Sequence, residues 1–406
     1  MTAIQILGVI GALLIIGFLT DILFRKTGFP DILILLVLGY IIGPVYHIVD
    51  PAALAPEAQL IASLALVVII FNSGIEFDIS KVLSSTPRAI LLVFLGVAIS
   101  IAIIAAPAYF LFEWPLLDSI LLGTVVGGTS SAIVIGLVSH ARVSSNITSL
   151  LSLESVLNSP VIIVIALIVL QAISAGEAGI ELASISQAIG TQIAVGFGIG
   201  IAAGLFWLWM LILMRKEEYN DILNLAIVFL LYFVVEYLNG SGVVFALVFG
   251  LILGNGLSVG KLKLEQTTQA IHVMRRFTSQ IYFFVKTFFF IYLGMIITFD
   301  QPSLVAIGAG AAILLLLGRN IAVLLSSIGS NELLSNKGLL TTMMARGESA
   351  AALIQLVIAS KIKTADVYPN LVMSIILTTV IISAVGMLIF GRSADETAPE
   401  AAWENE

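Results

Sequence analysis

Four polar side chains lie close together in the stretch LESVLNSP, residues 153–160. Glu154 and Asn158 are four residues apart, so on a helix they project from one face, and Ser155 and Ser159 form a second such pair on the neighbouring strip. Carboxylate, amide and hydroxyl oxygens are hard ligands that suit Na⁺ or K⁺. The stretch therefore predicts a cation site on a helix.

The sequence around this stretch is strongly apolar. The chain has 406 residues, of which 60% are hydrophobic and 11% charged, and its mean hydropathy is +1.14. Because soluble globular proteins average about 25% charged residues, this composition predicts an integral membrane protein made mostly of helices. Contacts with membrane lipids are expected over much of its surface.

Several classes of chemistry are excluded by what the sequence lacks. The chain has no cysteine, which rules out disulfides and thiolate chemistry, and its three histidines lie in separate segments, so no transition-metal site is expected. Neither a soluble nucleotide-binding domain nor a basic patch for nucleic acid is recognisable. We therefore expect that the protein is not an enzyme, has no cofactor and does not bind nucleic acid.

The hydropathy pattern predicts thirteen transmembrane spans, because a helix needs roughly 20 apolar residues to cross the hydrocarbon core. The first segment is too long for a signal-peptide core and lacks a cleavage motif, so we interpret it as a retained span. The spans run near residues 3–24, 30–48, 58–76, 87–112, 115–139, 149–173, 184–214, 220–237, 240–257, 278–299, 303–328, 337–360 and 367–391.

The distribution of basic residues predicts the orientation of these spans. With the N-terminus outside, 13 of the 18 Lys and Arg residues fall in inner loops and the tail, while only Lys361 and Lys363 fall in outer loops. Positive residues accumulate on the cytoplasmic side of membrane proteins. We therefore expect a multi-pass protein of the cell membrane with a cytoplasmic C-terminus.

Two spans contain polar, small-residue interruptions. GGTSSAIVIG (127–136) lies in the fifth span and MARGESAAALIQ (344–355) in the twelfth, seven spans later. Interruptions at corresponding positions of two halves are typical of inverted repeats. The predicted fold is an all-α integral membrane protein with about 13 transmembrane helices in two inverted repeats and two crossed discontinuous helices.

The same pattern predicts the domain organisation. Residues 1–391 form a single transmembrane domain, with repeats at about 1–173 and 220–391 and a linker helix at 184–214. The acidic tail, residues 392–406, is predicted to be disordered and cytoplasmic.

Five ionisable side chains fall inside or at the breaks of the spans, where a lipid-facing charge costs about 2.5–3.5 kcal/mol. We expect Glu154 to neutralise Arg319, because an unpaired buried arginine is the costlier alternative; direct cation binding by Glu154 is the other interpretation. Arg346 and Glu348 point to different helix sides and either line a pathway or satisfy freed backbone groups. Lys286 is either a pathway charge or a lysine that snorkels along an aromatic belt.

Taken in order, six motifs resemble those of the monovalent cation:proton antiporter superfamily, in particular the sodium/proton type with thirteen spans. The resemblance implies a homodimer in which a core domain, containing the crossed broken helices, moves like an elevator against a dimerisation domain. It also implies that a cation and a proton compete for one membrane-embedded carboxylate. The motifs are FPDILILLVLGYIIGP (29–44), FNSGIEFD (71–78), GGTSSAIVIG (127–136), LESVLNSP (153–160), GRN (318–320) and ARGES (345–349).

Three positions depart from that family. Its members normally carry an aspartate where this chain has Ser159, and often Thr-Asp where this chain has Thr129 and Ser130. They often carry Phe-Glu-Gly in the third span, where Asn72 of this chain takes the place of the glutamate. A serine hydroxyl does not titrate near pH 7 and cannot exchange a proton for a cation. The candidate ion-binding and pathway residues are Thr129, Ser130, Ser155, Asn158, Ser159 and Asn72.

Three functional interpretations follow. In the preferred one, Na⁺ or K⁺ is exchanged for protons by alternating access, with Glu348 or Glu154 carrying the proton, and Glu76 less favoured because it falls near a span end. In the second, a neutral site supports uniport or channel-like movement of an ion or solute. In the third, the chain is a transport-inactive scaffold or sensor. A separate regulatory partner would bind the cytoplasmic loop 258–277 or the acidic tail.

Overall fold

The structure is a computed structural model of the chain, and it describes residues 3–49, 55–77, 79, 87–177, 182–213, 220–256, 265–296, 301–360 and 362–391. In these residues all regular secondary structure is helical. The helices are α1 (Ala3–Thr27), α2 (Asp31–Tyr40, continued by a π turn Ile41–Val45), α3 (Ala55–Glu76), α4 (Pro87–Phe110), α5 (Leu116–Val125), α6 (Ser131–Val138), α7 (Ser145–Glu177), α8 (Leu182–Leu213), α9 (Asn220–Tyr237), α10 (Gly242–Gly254), α11 (Glu265–Ile296), α12 (Pro302–Ser326), α13 (Asn331–Ser335), α14 (Lys337–Thr342), α15 (Glu348–Ser360) and α16 (Tyr368–Phe390, preceded by a 3₁₀ turn Ala365–Val367).

The apolar helices correspond one to one with the predicted spans. Seven are long and apolar enough to cross a membrane, and six shorter apolar helices occupy the remaining predicted positions. A helix satisfies its own backbone hydrogen bonds, which hydrocarbon cannot do, so this architecture fits a chain of such low polarity. The predicted all-helical membrane fold is confirmed.

Two spans are broken where the sequence predicted. The fifth is divided into α5 and α6 by residues 126–130, and the twelfth into α14 and α15 by residues 343–347. The first break contains Gly127 and Gly128, and an added Cβ on Gly128 would collide with Ile162 of α7. Small residues at these breaks therefore allow extended backbone to pack inside the protein, where irregular chain is tolerated.

Two pairs of helices repeat the same glycine contact. Gly39 of α2 lies against Gly294 of α11, and Gly74 of α3 lies against Gly250 of α10. In an inverted repeat, α2 would correspond to α10 and α3 to α11. The pair α2–α11 would then be equivalent to the pair α10–α3, and both pairs have the same glycine contact. The predicted division into repeats at about 1–173 and 220–391 stays a prediction. The tail 392–406 and the first part of the loop 258–277 lie outside the described residues.

The helices form two packed groups. Helices α2, α3 and α8–α11 pack mainly on one another, and we call them the glycine-packed bundle. The other group, α4–α7 with α12 and α14–α16, contains both breaks and is called the broken-helix bundle. The two groups meet chiefly where α3 packs against α15 and α7, and where α7 packs against α8. Among the candidate side chains, Glu76 of α3 and Ser131 of α6 meet at this seam.

Candidate ion site at the crossing of two broken helices

The two breaks contact each other directly. The backbone N–H of Ser130 donates to the carbonyl of Ala345 at 2.8 Å, and Nη1 of Arg346 donates to the carbonyl of Gly127 at 2.9 Å. Each bond satisfies a backbone group that the broken helices leave free. The sequence prediction that the two discontinuous helices meet is confirmed, and one predicted role of Arg346, satisfying a freed carbonyl, is observed.

Charged side chains of opposite sign lie at opposite helix ends in this crossing. Arg346 lies at the C-terminal end of α5, where the helix dipole is negative, and its Nη2 is 3.4 Å from Oγ of Ser100. Glu348 is the first residue of α15, and its Oε2 accepts a 2.5 Å hydrogen bond from Oγ of Ser130, the N-cap of α6. A carboxylate is favoured at helix N-termini and a guanidinium at C-termini. Both charges therefore stabilise the crossing.

Glu154 lies in a fully buried hydrogen-bond network beside the first break. Its carboxylate pairs with Arg319 through two bonds, of 2.8 and 3.1 Å, as the sequence predicted. Oγ1 of Thr129 donates to Oε2 at 3.3 Å, and Nδ2 of Asn158 donates to both Oε1 of Glu154 and Oγ1 of Thr129. Both carboxylate oxygens of Glu154 therefore face the guanidinium of Arg319.

The remaining predicted residues of α7 point to two different places. Oγ of Ser155 donates to the carbonyl of Ser152 in its own helix, so this hydroxyl is not brought into the network. Ser159 instead receives a 2.9 Å hydrogen bond from Oγ of Ser349 on α15. Ser159 is only 3% exposed, so the position that carries an aspartate in the resembling family is a buried neutral contact between α7 and α15.

Asn72 contacts a carboxylate that the sequence analysis set aside. Nδ2 of Asn72 donates to Oε1 of Glu76 at 2.8 Å, and Oγ of Ser131 donates to Oε2 at 3.3 Å. Glu76 lies near the end of its span, yet its carboxylate reaches the start of α6. The spacing of four residues between Asn72 and Glu76 was the available sequence signal, whereas the contact with Ser131 crosses between bundles.

Lys286 lies in a separate ion pair. Its Nζ is 2.6 Å from Oδ2 of Asp31, both residues are buried, and the ring of Tyr282 lies 5.8 Å from Nζ. A buried lysine whose charge is held by an aspartate inside the glycine-packed bundle does not reach out to the membrane surface. The snorkelling interpretation is therefore wrong, and Asp31 is a partner that the sequence analysis missed.

A cavity of about 1140 Å³ reaches the start of α6, next to the first break. Glu76 and Ser131 line it, together with Ser149 and Ser152 of α7. Its wall also includes Arg88, Asn146, Arg275 and Glu332, which lie at or near the predicted inner loops. The cavity therefore connects the predicted cytoplasmic face with an exposed carboxylate beside the first break.

Cysteine labelling can map this cavity, because the chain has no cysteine of its own. We expect Ser149→Cys, on the exposed cavity-lining face of α7, to react rapidly with a membrane-impermeant maleimide. A cysteine reacts as a thiolate that needs contact with water. The measurement is the labelling rate in vesicles of known sidedness, which also tests the orientation.

The matched control is Ser155→Cys, on the same helix but fully buried. It should label slowly from either side. Equal labelling at both positions, or labelling of Ser149→Cys from the extracellular side alone, would contradict a cavity that opens to the cytoplasm.

The sequence profile of the family described as sodium/hydrogen exchanger, transmembrane, matches residues 10–389. The chain belongs to this family. The match covers every predicted span apart from a few terminal residues, and it confirms the resemblance to the monovalent cation:proton antiporter superfamily. This exchanger-family chain is accordingly a multi-pass membrane protein.

Individual relatives of this exchanger-family chain are distant but aligned over nearly its whole length. A protein of Shewanella sp. (strain ANA-3) named K(+)/H(+) antiporter NhaP2 is 24% identical over 97% of this chain and 71% of its own. A probable Na(+)/H(+) antiporter 2 of Methanocaldococcus jannaschii is 24% identical over 99% of this chain and 96% of its own. The solved structure of the sodium proton antiporter MjNhaP1 from the same organism, at pH 8, covers 96% of this chain and 100% of its own, with a TM-score of 0.79 and 22% identity. That structure shows a shared fold.

Proposed function

We propose that this chain exchanges a monovalent cation for protons by alternating access. The observation that carries the proposal is the cavity lined by Glu76, an exposed carboxylate that accepts a hydrogen bond from Ser131 at the start of α6. Exchange by competition requires a titratable group within the membrane that an aqueous phase can reach. Membership of the exchanger family and the antiporter names of its relatives support the same function.

In this proposal the usual aspartate is replaced by Ser159, and another carboxylate carries the proton. Glu154 is an unfavourable carrier, because Arg319 holds both of its oxygens. Glu76 and Glu348 remain, and each accepts hydrogen bonds from serine hydroxyls at the first break. A site of this kind combines a titratable group with the hydroxyl and amide oxygens that bind Na⁺ or K⁺.

The proposal includes an arrangement in the membrane. The substrate is Na⁺ or K⁺, the two ions in the names of the relatives. The N-terminus lies outside the cell, the C-terminus lies in the cytoplasm, and the protein acts as a homodimer. Alternating access would come from movement of the broken-helix bundle against the glycine-packed bundle. Because Glu76 and Ser131 meet across the seam between them, such a movement would change which side reaches that contact.

One contact favours a second candidate function, uniport through a neutral site. Ser159 and Ser349 form an uncharged hydrogen bond at the position where the resembling family carries its carboxylate. A neutral site could pass a cation or another solute without counter-movement of protons. The scaffold interpretation makes a third prediction, which is the absence of any flux.

Purified protein in liposomes with an internal pH dye tests the proposal. We expect that addition of Na⁺, Li⁺ or K⁺ outside raises the internal pH, because cation entry drives protons out. Protein-free liposomes are the control, and a potential-sensitive dye detects the net charge movement that uniport would produce. Folded protein that gives no cation-dependent proton flux over roughly pH 5–9, a range that spans the ordinary carboxyl and histidine pKa values, would reject antiport.

A further inference from the structure

We infer that Glu76 is the carboxylate that binds the proton and the cation in turn, and that Glu348 is a neighbouring carboxylate that takes no direct part in the exchange. This inference rests on the proposed antiport function and assigns the residue at its centre. Glu76 lies in the motif FNSGIEFD (71–78), at the last position of α3.

The other buried acidic residues near the seam already have partners. Asp31 is paired with Lys286 and Glu154 with Arg319, so each carboxylate is compensated by a basic residue. In the described part of the chain, no lysine or arginine lies within salt-bridge distance of Glu76 or Glu348. These two carboxylates are therefore the ones whose charge remains available for a cation or a proton.

Access to water distinguishes the two. Glu76 is exposed and lines the cavity. Glu348 is 4% exposed, accepts a short hydrogen bond from Ser130, and lies at the N-terminal ends of α6 and α15. An exchanging group must be reached by water and by the incoming ion, a condition that Glu76 meets.

Both carboxylates contact a position that is neutral in this chain. Asn72 donates to Glu76 at 2.8 Å, and Ser130 donates to Glu348 at 2.5 Å. Asn72 and Ser130 are two of the three positions where the sequence departs from its acidic relatives. A carboxylate therefore lies beside each of these two neutral positions, one helical turn away on α3 and across the crossing on α15. At Ser159 the hydrogen-bond partner is a serine.

The neighbourhood of Glu76 makes proton and cation mutually exclusive. Glu348 is close enough for the two charges to interact. Two carboxylates at close range do not both stay ionised at low cost while the nearby Lys286 is paired with Asp31, so Glu76 gains from binding either a proton or a cation. A bound cation would have the carboxylate and the Ser131 hydroxyl within reach, both hard ligands.

The other charged groups around Glu76 are paired with other residues or lie beyond salt-bridge distance of it. From α11, Tyr282 and Lys286 face the region, and the charge of Lys286 is held by Asp31 of α2. Arg88 and Arg275 line the same cavity, beyond salt-bridge distance. Glu154 of α7 is paired with Arg319. Because Glu76 belongs to the glycine-packed bundle and Ser131 to the broken-helix bundle, relative movement of the bundles would open or close the site.

The experiment compares Glu76→Gln with wild type, and uses Glu332→Gln as a matched control that removes an exposed carboxylate from the same cavity wall. We expect Glu76→Gln to lower cation-driven proton flux in proteoliposomes at least about tenfold, equivalent to about 1.4 kcal/mol of binding free energy. It should also abolish the rise in thermal stability that Na⁺ or K⁺ gives in detergent. Glu76→Asp should retain part of both signals, and Glu332→Gln all of them.

The outcomes separate the inference from the function on which it rests. If the cation-driven proton flux of Glu76→Gln stays within about twofold of the wild-type flux, well under the expected tenfold loss, the inference is wrong and antiport still holds. Loss of flux in Glu348→Gln but not in Glu76→Gln overturns it in favour of Glu348. If the wild-type protein gives no flux, the assignment of Glu76 is still tested by proton release when Na⁺ or K⁺ is added to the detergent-solubilised protein. Release that is lost in Glu76→Gln supports the assignment, and no release from wild type overturns it.

Discussion

Replacing Glu154 with glutamine should lower the free energy of unfolding by about 3–5 kcal/mol, the usual cost of removing one partner of a buried ion pair. The carboxylate is 0% exposed and binds Arg319 at 2.8 Å. Glutamine keeps the shape and one carbonyl oxygen, but it leaves the guanidinium without an anion. The stability cost therefore comes from an uncompensated buried charge.

A second arginine adds to this cost. Arg346 is 2% exposed, and it interacts electrostatically with both Glu154 and Arg319. Its hydrogen-bond partners are the neutral Gly127 carbonyl and Ser100 hydroxyl. Removal of Glu154 would leave two buried guanidinium groups that repel each other, so Glu154 holds the crossing together electrostatically.

The measurement is thermal unfolding in detergent, together with the yield of monodisperse protein. Glu154→Gln with Arg319→Gln should recover part of the lost stability, because the double variant restores the balance of charge around Arg346. Glu332→Gln, an exposed acidic residue, is the control and should unfold like wild type. A single Glu154→Gln variant as stable as wild type, or a double variant less stable than the single one, would show that the pair is not the main stabilising contact.

Much of the fold follows from local sequence features. Each predicted span contains an apolar helix, because hydrocarbon selects long apolar segments with internal backbone hydrogen bonds. The breaks at 126–130 and 343–347 were visible as polar, small-residue runs within otherwise apolar sequence. The pair of Glu154 and Arg319 was predictable because each was a costly isolated charge and the two compensate each other.

The candidate site was less predictable, because its contacts join distant parts of the chain. Ser131 meets Glu76 across 55 residues, and Lys286 meets Asp31 across 255. Asp31 follows Pro30 at the start of its span, a position typical of a helix end rather than of a buried ion pair. Whereas Asp31 begins its helix, Glu76 is the last residue of α3. Only the packing of α3 against the broken-helix bundle brings it to the crossing.

The second large effect concerns Ser159. In a chain that carries Glu76→Gln, the additional change Ser159→Asp should restore cation-driven proton flux at least about tenfold over Glu76→Gln alone, one decade in binding affinity. Aspartate at 159 would return a titratable carboxylate to the helix that faces the second break, where Ser349 Oγ is 2.9 Å away and can donate to it. Asn158, whose Oδ1 has no hydrogen-bond partner, lies next to it in the sequence.

Ser159→Asn in the same background is the matched control, since it has nearly the same size but does not titrate. Flux should therefore recover with aspartate and not with asparagine, while both proteins stay monodisperse and folded. Recovery with both variants would indicate that polarity rather than proton exchange is what the position supplies. If aspartate fails while the variant folds and binds the cation, the helix pair α7 and α15 no longer forms part of the ion path in this protein. The exchange chemistry would then depend on the seam between α3 and α6 alone.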